Sequence, residues 1–417
     1  MKRHLFWLSL TGAIVLLGCE EFGPTGVPVD PSAVSGQRSA SSGGSSASPL
    51  PGQSELSYPI VDTGQTGCYG DYSAITCAAP GAAYYGQDGQ VQGLQPAYRD
   101  NGDGTVADLN TGLMWVAEHG EKVTWTDAMN GAGALDLAGY DDWRMPTIKE
   151  LYSLIDFNGG SSFSEANSVP FIDTAYFSFV YGDESAGERI IDAQYWSATE
   201  YVGTTMNGSH TVFGVNFADG RIKGYPAGQG VHGLKITFVK YVRGGIGYGE
   251  NSFHDNGDGT VSDLATGLMW QQGDSGEPIA WSEALEHCES LSSAGHDDWR
   301  LPNAKELQSI VDYTRAPTVT QSAAIDPIFE VSEMESYYWT STSHLEGPED
   351  RAAKAAVYVA FGRAMGFMQM PPGSGQLQKI DVHGAGAQRS DPKTGDPADY
   401  PTGHGPQGDD IRSYNYA

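Results

Sequence analysis

Short apolar runs alternate with clusters of Asp, Asn and Gly along this chain, and the succession occurs twice. TVADL (Thr105–Leu109) and TGLMW (Thr111–Trp115) lie beside the turn segments NGDG and NTG, which predicts two short strands of a hairpin. TWTDAMNGAGALDLAG (Thr124–Gly139) reads as a helix, capped by Thr124 and stopped at Gly139. PTIKELYSLID (Pro146–Asp156) reads as a second helix, with Thr147 and Glu150 at capping-box spacing. Late strands follow in YWSATE, TVFGVNFADG and KITFVKYVRGG.

The second succession sits about 155 residues further on, an offset of domain size rather than of a solenoid unit. RDNGDGTVADLNTGLMW (Arg99–Trp115) matches HDNGDGTVSDLATGLMW (His254–Trp270), and GYDDWRMPTIKELYSLID (Gly139–Asp156) matches GHDDWRLPNAKELQSIVD (Gly295–Asp312). YWSATE matches YWTSTS (Tyr338–Ser343), and VNFADGR (Val215–Arg221) matches VAFGR (Val359–Arg363). The second first-helix runs from Trp281 to Ala294 with Gly295 as its stop, and Asn303 and Glu306 repeat the capping spacing. A hairpin, two helices and several strands in that order indicate an α+β domain with an antiparallel sheet. The expected division is 94–245 for the first domain and 250–417 for the second, with a small Cys-containing segment at 58–93 in front.

The N-terminus sets the compartment. Lys2, Arg3 and His4 precede an apolar run, Leu5–Leu17, that is short for a bilayer span and has the shape of a signal sequence. It ends in LLGC, the pattern of a bacterial lipoprotein signal, so residues 1–19 are expected to direct export and Cys19 to carry lipid. Residues 20–57 are rich in Ser, Gly and Pro and predict a flexible tether, with a reach of roughly 30–35 Å. In an oxidising compartment Cys68 and Cys77 are expected to form a local disulfide.

Composition narrows the partners. A formal net charge of −29 opposes nucleic acid, anionic lipid and sulfated polysaccharide, and leaves neutral glycans and proteins as ligands. HExxH, GxSxG and P-loop motifs are missing, so no enzyme is expected. Asp100, Asp103 and Asp108, with Asp255, Asp258 and Asp263 in the second copy, offer hard oxygen ligands that suit calcium. The same residues suit Asx turns, and they lack the EF-hand frame, so no cofactor is required. Arg144 and Arg300 are placed to pair with neighbouring carboxylates. Trp115, Trp143, Trp270 and Trp299 are expected in the core, with stacking on a sugar as the other role for Trp143 and Trp299. The stretch Asp381–Asp410 reads as a long insertion, in which His383, His404, Asp381 and Asp391 are candidate ligands and the loop itself a candidate recognition element.

DNGDGTVSDLATGLMW, the helix pattern around Trp281 and Cys288, GHDDWRLPNAKEL and YWTSTS together resemble the Lcl C-terminal domain family of bacterial surface proteins. The resemblance runs from about Tyr98 onward and covers both copies. It implies two tandem C-type lectin-like domains. It also implies a surface-anchored binding or adhesion protein, with an envelope scaffold as the alternative. Some relatives bind sulfated glycosaminoglycans, which the charge of this chain opposes. In such folds the first-helix Cys bonds a Cys on the last strand. The first copy has Ala132 and KYVR (Lys240–Arg243) at these places and lacks both cysteines together. The second has Cys288 and no such strand after SYNYA, which leaves a truncated chain, the favoured reading, or a free thiol.

Overall fold

The repeated Asp/Gly sentence folds as a hairpin because its glycines permit the turn. Gly102 and Gly104 take φ of +76° and +87°, and Gly257 and Gly259 take +75° and +88°, a region that side chains resist. The computed structural model describes residues 56–162, 164–230, 233–348, 352–371, 373–400 and 408–417. Cys19, the signal segment and the tether up to Glu55 lie outside the described residues, as does His404.

A small hairpin, β1 (Cys68–Tyr69) and β2 (Ala74–Ile75), opens the described chain, and its Cys68–Cys77 disulfide closes it. The first repeat then runs β3 (Tyr98–Asp100), β4 (Thr105–Asp108), β5 (Met114–Val116), α1 (Trp125–Ala132), α2 (Ile148–Ser153), β6 (Gln194–Thr205), β7 (Ser209–Asn216) and β8 (Arg221–Pro226). Two-residue strands β9 (Gln229–Gly230), β10 (Gly233–Leu234) and β11 (Val242–Arg243) complete it. The second repeat runs β12 (Phe253–Asp255), β13 (Thr260–Asp263), β14 (Met269–Gln271), α3 (Trp281–Glu289), α4 (Ala304–Ser309), α5 (Pro317–Thr320), β15 (Tyr337–His344) and β16 (Ala355–Ala360). Strands β17 (Met365–Gln369), β18 (Leu377–Asp381), β19 (Gln388–Pro392) and β20 (Gly408–Asp409) follow. The strand ladders are antiparallel throughout and the helices are few and short, a mixed helix-and-sheet fold.

The first helix of each repeat is shorter than the sequence suggests. α1 stops at Ala132, where Gly131 and Gly133 weaken it, and α3 stops at Glu289. Gly139 and Gly295 are not helix stops. Ala138 and Gly139 both have positive φ, as do Ala294 and Gly295, and each pair makes the tight turn closing a bridge, Leu137 to Tyr140 and Ser293 to His296. The second helices keep their expected starts. Thr147 with Glu150, and Asn303 with Glu306, form complete capping boxes.

The two repeats do not sit side by side as beads. Residues Glu55–Ala417 form one compact unit, and one six-stranded sheet crosses both repeats in the order β15-β16-β19-β8-β7-β6. The junction is the pairing of β19 with β8 at Gln388 and Ile222. Behind the sheet α2 packs on α4, and two equivalent lysines bond reciprocally across that contact. Lys149 Nζ donates to Ser309 O at 2.6 Å and Lys305 Nζ donates to Ser153 O at 2.9 Å. Burial pushes both ammonium groups down to about 8. The repeats are therefore related by an approximate twofold axis running between α2 and α4.

The lead-in segment wedges into this junction. The Gln65 carboxamide donates to Phe157 O and Ser343 O and accepts from Ser343 N at 3.0 Å, so it touches both repeats. Asp88 Oδ2 accepts from the Thr63 hydroxyl at 2.7 Å and from the Thr342 hydroxyl at 2.6 Å. Burial outweighs these two donors and raises the Asp88 carboxyl to about 7. A raised carboxyl favours folding at low pH, and that contribution is lost as pH rises from the unfolded value near 4 through 7. Asp88→Asn is therefore expected to gain on the wild type by on the order of 2 kcal/mol between pH 4 and pH 7.5 in urea unfolding. A constant difference across that range would show that Asp88 stays ionised throughout.

The long segment of the second repeat is not a plain loop. β17, β18 and β20 form a small sheet in the order β18-β17-β20, which leans on the first repeat. Met206 N donates to Asp381 O at 2.8 Å, and Met206, Met368 and Val382 form a small apolar cluster. β19, inside the expected loop, takes the place beside β16 that β8 takes beside β7.

Candidate functional site

Each aspartate of the repeated hairpin spends a carboxylate oxygen on its own turn. Asp100 Oδ1 accepts from Gly102 N at 2.8 Å, and Asp103 Oδ1 accepts from the Thr105 hydroxyl at 2.6 Å. Asp108 Oδ1 accepts from Asn110 N at 3.0 Å and from Thr111 N at 3.2 Å. Asp255 and Asp258 repeat the first two arrangements. Asp263 is enclosed further, accepting from Ser252 N at 2.9 Å and Asn251 Nδ2 at 2.8 Å. Among the described residues no group of three or more His, Cys, Asp or Glu side chains is arranged to hold a metal ion. Millimolar calcium or excess EGTA is expected to leave the thermal midpoint unchanged. A calcium-dependent rise of several degrees would show that these turns reorganise around an ion.

The insertion candidates do not converge either. His383 is buried, with Nδ1 3.4 Å from Gly224 O, and burial pushes it down to about 3. Asp381 accepts from Gly384 N and the Tyr201 hydroxyl, whereas Asp391 accepts from Arg412 N, Ser413 N and Asn415 Nδ2. Each of the three serves a different backbone corner.

The DDWR motifs hold the helices. Arg144 grips Glu150 through two bonds of 2.7 and 2.6 Å, and Arg300 grips Glu306 through two of 2.6 Å. The same carboxylates accept from Thr147 N and Asn303 N, so each Glu is both cap and ion-pair partner. Both motifs carry the same bonds, yet their surroundings differ.

In the first repeat the chain continues past Phe238 and fills a slot beside the hairpin. Val242 pairs with Trp115 of β5 on one side and with Arg144 on the other. Tyr241 accepts from Val116 N at 3.0 Å through its carbonyl, and its hydroxyl donates to Ala128 O at 2.9 Å. Arg243 lies over the Tyr140 ring at 3.7 Å and bonds Asp142 at 2.6 Å. Trp115 is 0% exposed as a result, and Trp143 is buried.

In the second repeat the same slot is open. Phe238 has its counterpart in Tyr416, since Trp339 N donates to Tyr416 O as Trp196 N does to Phe238 O. A groove of about 390 Å³ lies beside β14. Trp270, Trp299, Cys288, Leu307 and Phe329 line it, with Asp298 and Glu330 at the rim. Trp270 and Trp299 are half-buried, and Met269 is 41% exposed. Cys288 is a free, buried thiol, and burial pushes it up to about 12, so it is poorly reactive. The groove was not foreseen as such. Its signal in the sequence was Cys288 standing where the first repeat has Ala132.

Two segments of the chain, residues 104–237 and 259–376, match the Lcl C-terminal domain, and together they cover more than half of it. Comparison with curated proteins and with solved structures returns no match. Among the described residues no helix is long and apolar enough to cross a membrane. The matched segments span two strands of each hairpin, the two helices and strands of the shared sheet, β6 to β8 in the first and β15 and β16 in the second, and the chain therefore belongs to the Lcl C-terminal domain family of bacterial surface proteins, of which it carries two tandem copies.

Proposed function

We propose that the protein is a non-enzymatic binding or adhesion lipoprotein of the cell surface, tethered through Cys19 with two lectin-like domains held outward. The observation that carries this reading is the open groove of the second repeat. It is apolar, concave and edged by carboxylates, the usual form of a binding site. A peptide or a neutral glycan suits it, since the half-buried Trp270 and Trp299 offer flat apolar faces and the net charge of −29 opposes polyanions.

The test is retention of the protein on intact cells and on a glycan array, alongside Trp270→Ala. Retention by the wild type and loss by the variant are expected. Retention no greater than that of an unrelated acidic protein would remove the reading. A defined homo-oligomer in light scattering, without retention, would favour an envelope scaffold instead.

A further inference from the structure

A lysine and an asparagine meet where the first repeat passes into the second. Lys149, on α2, donates to the Asn251 carboxamide oxygen at 3.0 Å, across a sequence separation of 102 residues. The Asn251 amide nitrogen donates in turn to Asp263 Oδ2 at 2.8 Å and to the Tyr58 hydroxyl at 3.1 Å. The lysine offers only donors and the carboxylate only acceptors, so together they fix which end of the carboxamide faces which. An amine, a carboxamide and a carboxyl group held in that order are the nucleophile, the acyl group and the proton carrier of an amide exchange.

The surroundings keep Lys149 in place. Gly249 takes φ of +89°, and a Cβ there would come within 2.7 Å of Lys149 Cδ, so the lysine stem lies against the backbone that leads to Asn251. Gly249 O, at 2.9 Å, and Ser309 O, at 2.6 Å, accept from the same ammonium. Its lowered affinity for a proton, about 8, leaves more free amine at neutral pH than an exposed lysine has. Asp263 and Tyr58 are buried. A cleft of about 670 Å³ is lined by Lys149, Asn251 and the exposed Ile246, which gives a small leaving group a way out.

The twofold-related site lacks the acyl group. Lys305 takes the place of Lys149 but donates to two main-chain carbonyls, Asp62 O at 2.8 Å and Ser153 O at 2.9 Å. Three residues before His254 stands Asn251, whereas three before Arg99 stands Pro96, which has no carboxamide. Asp108, the counterpart of Asp263, has a buried Oδ2 with no hydrogen-bond partner. The hairpin forms in both repeats, so its folding does not require the Lys149, Asn251 and Asp263 arrangement.

We propose that Lys149 and Asn251 join in an intramolecular isopeptide bond. The Nζ lone pair of the free amine attacks Asn251 Cγ, the Nζ–Cγ bond forms and the Cγ–Nδ2 bond breaks. Asp263 takes up the proton that Nζ loses and passes it to Nδ2, which leaves as ammonia. One amide replaces another, so no oxidant or reductant enters. The bond ties α2 to the segment entering β12 and closes a loop that contains β6, β7 and β8.

Tryptic mapping of the full chain, folded at neutral pH and then denatured for digestion, tests the bond. Cleavage after Lys149 should fail, and one branched peptide should join Met145–Arg189 to Gly244–Arg300, lighter than the two together by one ammonia. Lys305 should be cleaved as usual. Lys149→Arg keeps the charge and should abolish the branched peptide, and Asp263→Asn should lower its yield at least tenfold. Pulled by its two ends, the wild type should extend less than Lys149→Arg by the 102-residue span. Recovery of Met145–Lys149 and Gly244–Arg300 as separate peptides of unaltered mass would overturn the proposal. An unchanged yield in Asp263→Asn would overturn the role of Asp263 as proton carrier.

Discussion

Arg221→Met is expected to destabilise the protein by about 3–5 kcal/mol, because it leaves the part-buried Glu346 carboxylate without its cation and strips Asp219 of one of its two at the junction of the repeats. Arg221 starts β8, where the first repeat meets β19 of the second. It pairs with Glu346, lies 3.5 Å from Asp219 and donates to the Ser390 hydroxyl at 2.7 Å. Lys223 pairs with Asp219, and Arg389 pairs with Asp409, so three cations and three carboxylates balance there. Burial alone would raise the Glu346 carboxyl, but Arg221, helped by His344, holds it down to about 2. A depressed carboxyl stabilises the fold above its unfolded value near 4.5, and this contribution is lost as pH falls toward 2. The deficit of Arg221→Met should accordingly shrink below pH 4.5. His344, which burial and then Arg221 push down to about 4, would titrate closer to its ordinary value in the variant and shift the deficit the same way. Urea unfolding at pH 7 and pH 3.5 checks both statements. The double variant Arg221→Met with Glu346→Gln should recover part of the loss, since it removes the charge left unpaired. A loss below 1 kcal/mol at pH 7 would mean that water reaches this junction.

The second large effect is a contrast between equivalent residues. Trp115→Ala is expected to cost about 3–5 kcal/mol, because the ring is fully enclosed by β11 and the core. Trp270→Ala, at the same position of the second hairpin, is expected to cost only about 1 kcal/mol, because one side of its ring faces the groove. Denaturant midpoints measure the difference, and acrylamide should quench the Trp270 emission more strongly than that of Trp115. Equal costs would show that the groove is closed in solution. The same Trp270 variant serves as the binding test, since it keeps the fold while removing one wall.

The sequence carried much of the local architecture. Thr147 with Glu150 and Asn303 with Glu306 are capping boxes wherever the helices end up, because a cap is settled within four residues. The Asp/Gly hairpins are equally local, since each aspartate bonds a backbone amide two or three residues ahead. The helix stops at Gly139 and Gly295 were misplaced for a related reason. A glycine with positive φ serves a C-cap or a tight turn equally well, and only the chain partner decides which.

What a residue touches across the fold was not legible. Nothing in YWSATE or VAFGR states that two repeats will build one sheet, or that Lys149 and Lys305 will exchange bonds across an axis. The lead-in around Gln65 and Asp88 reads as a small separate segment, yet its polar side chains are bonds between the repeats. The sequence by itself determined the duplication, the turns, the caps and the resemblance to a surface-protein family, all of which depend on spacing along the chain. Tertiary structure alone decided that the copies fuse through β8 and β19, and that Trp115 is sealed while Trp270 faces a groove. Burial is set by what packs against a side chain, and two identical motifs acquire different environments when a strand covers one of them and leaves the other open.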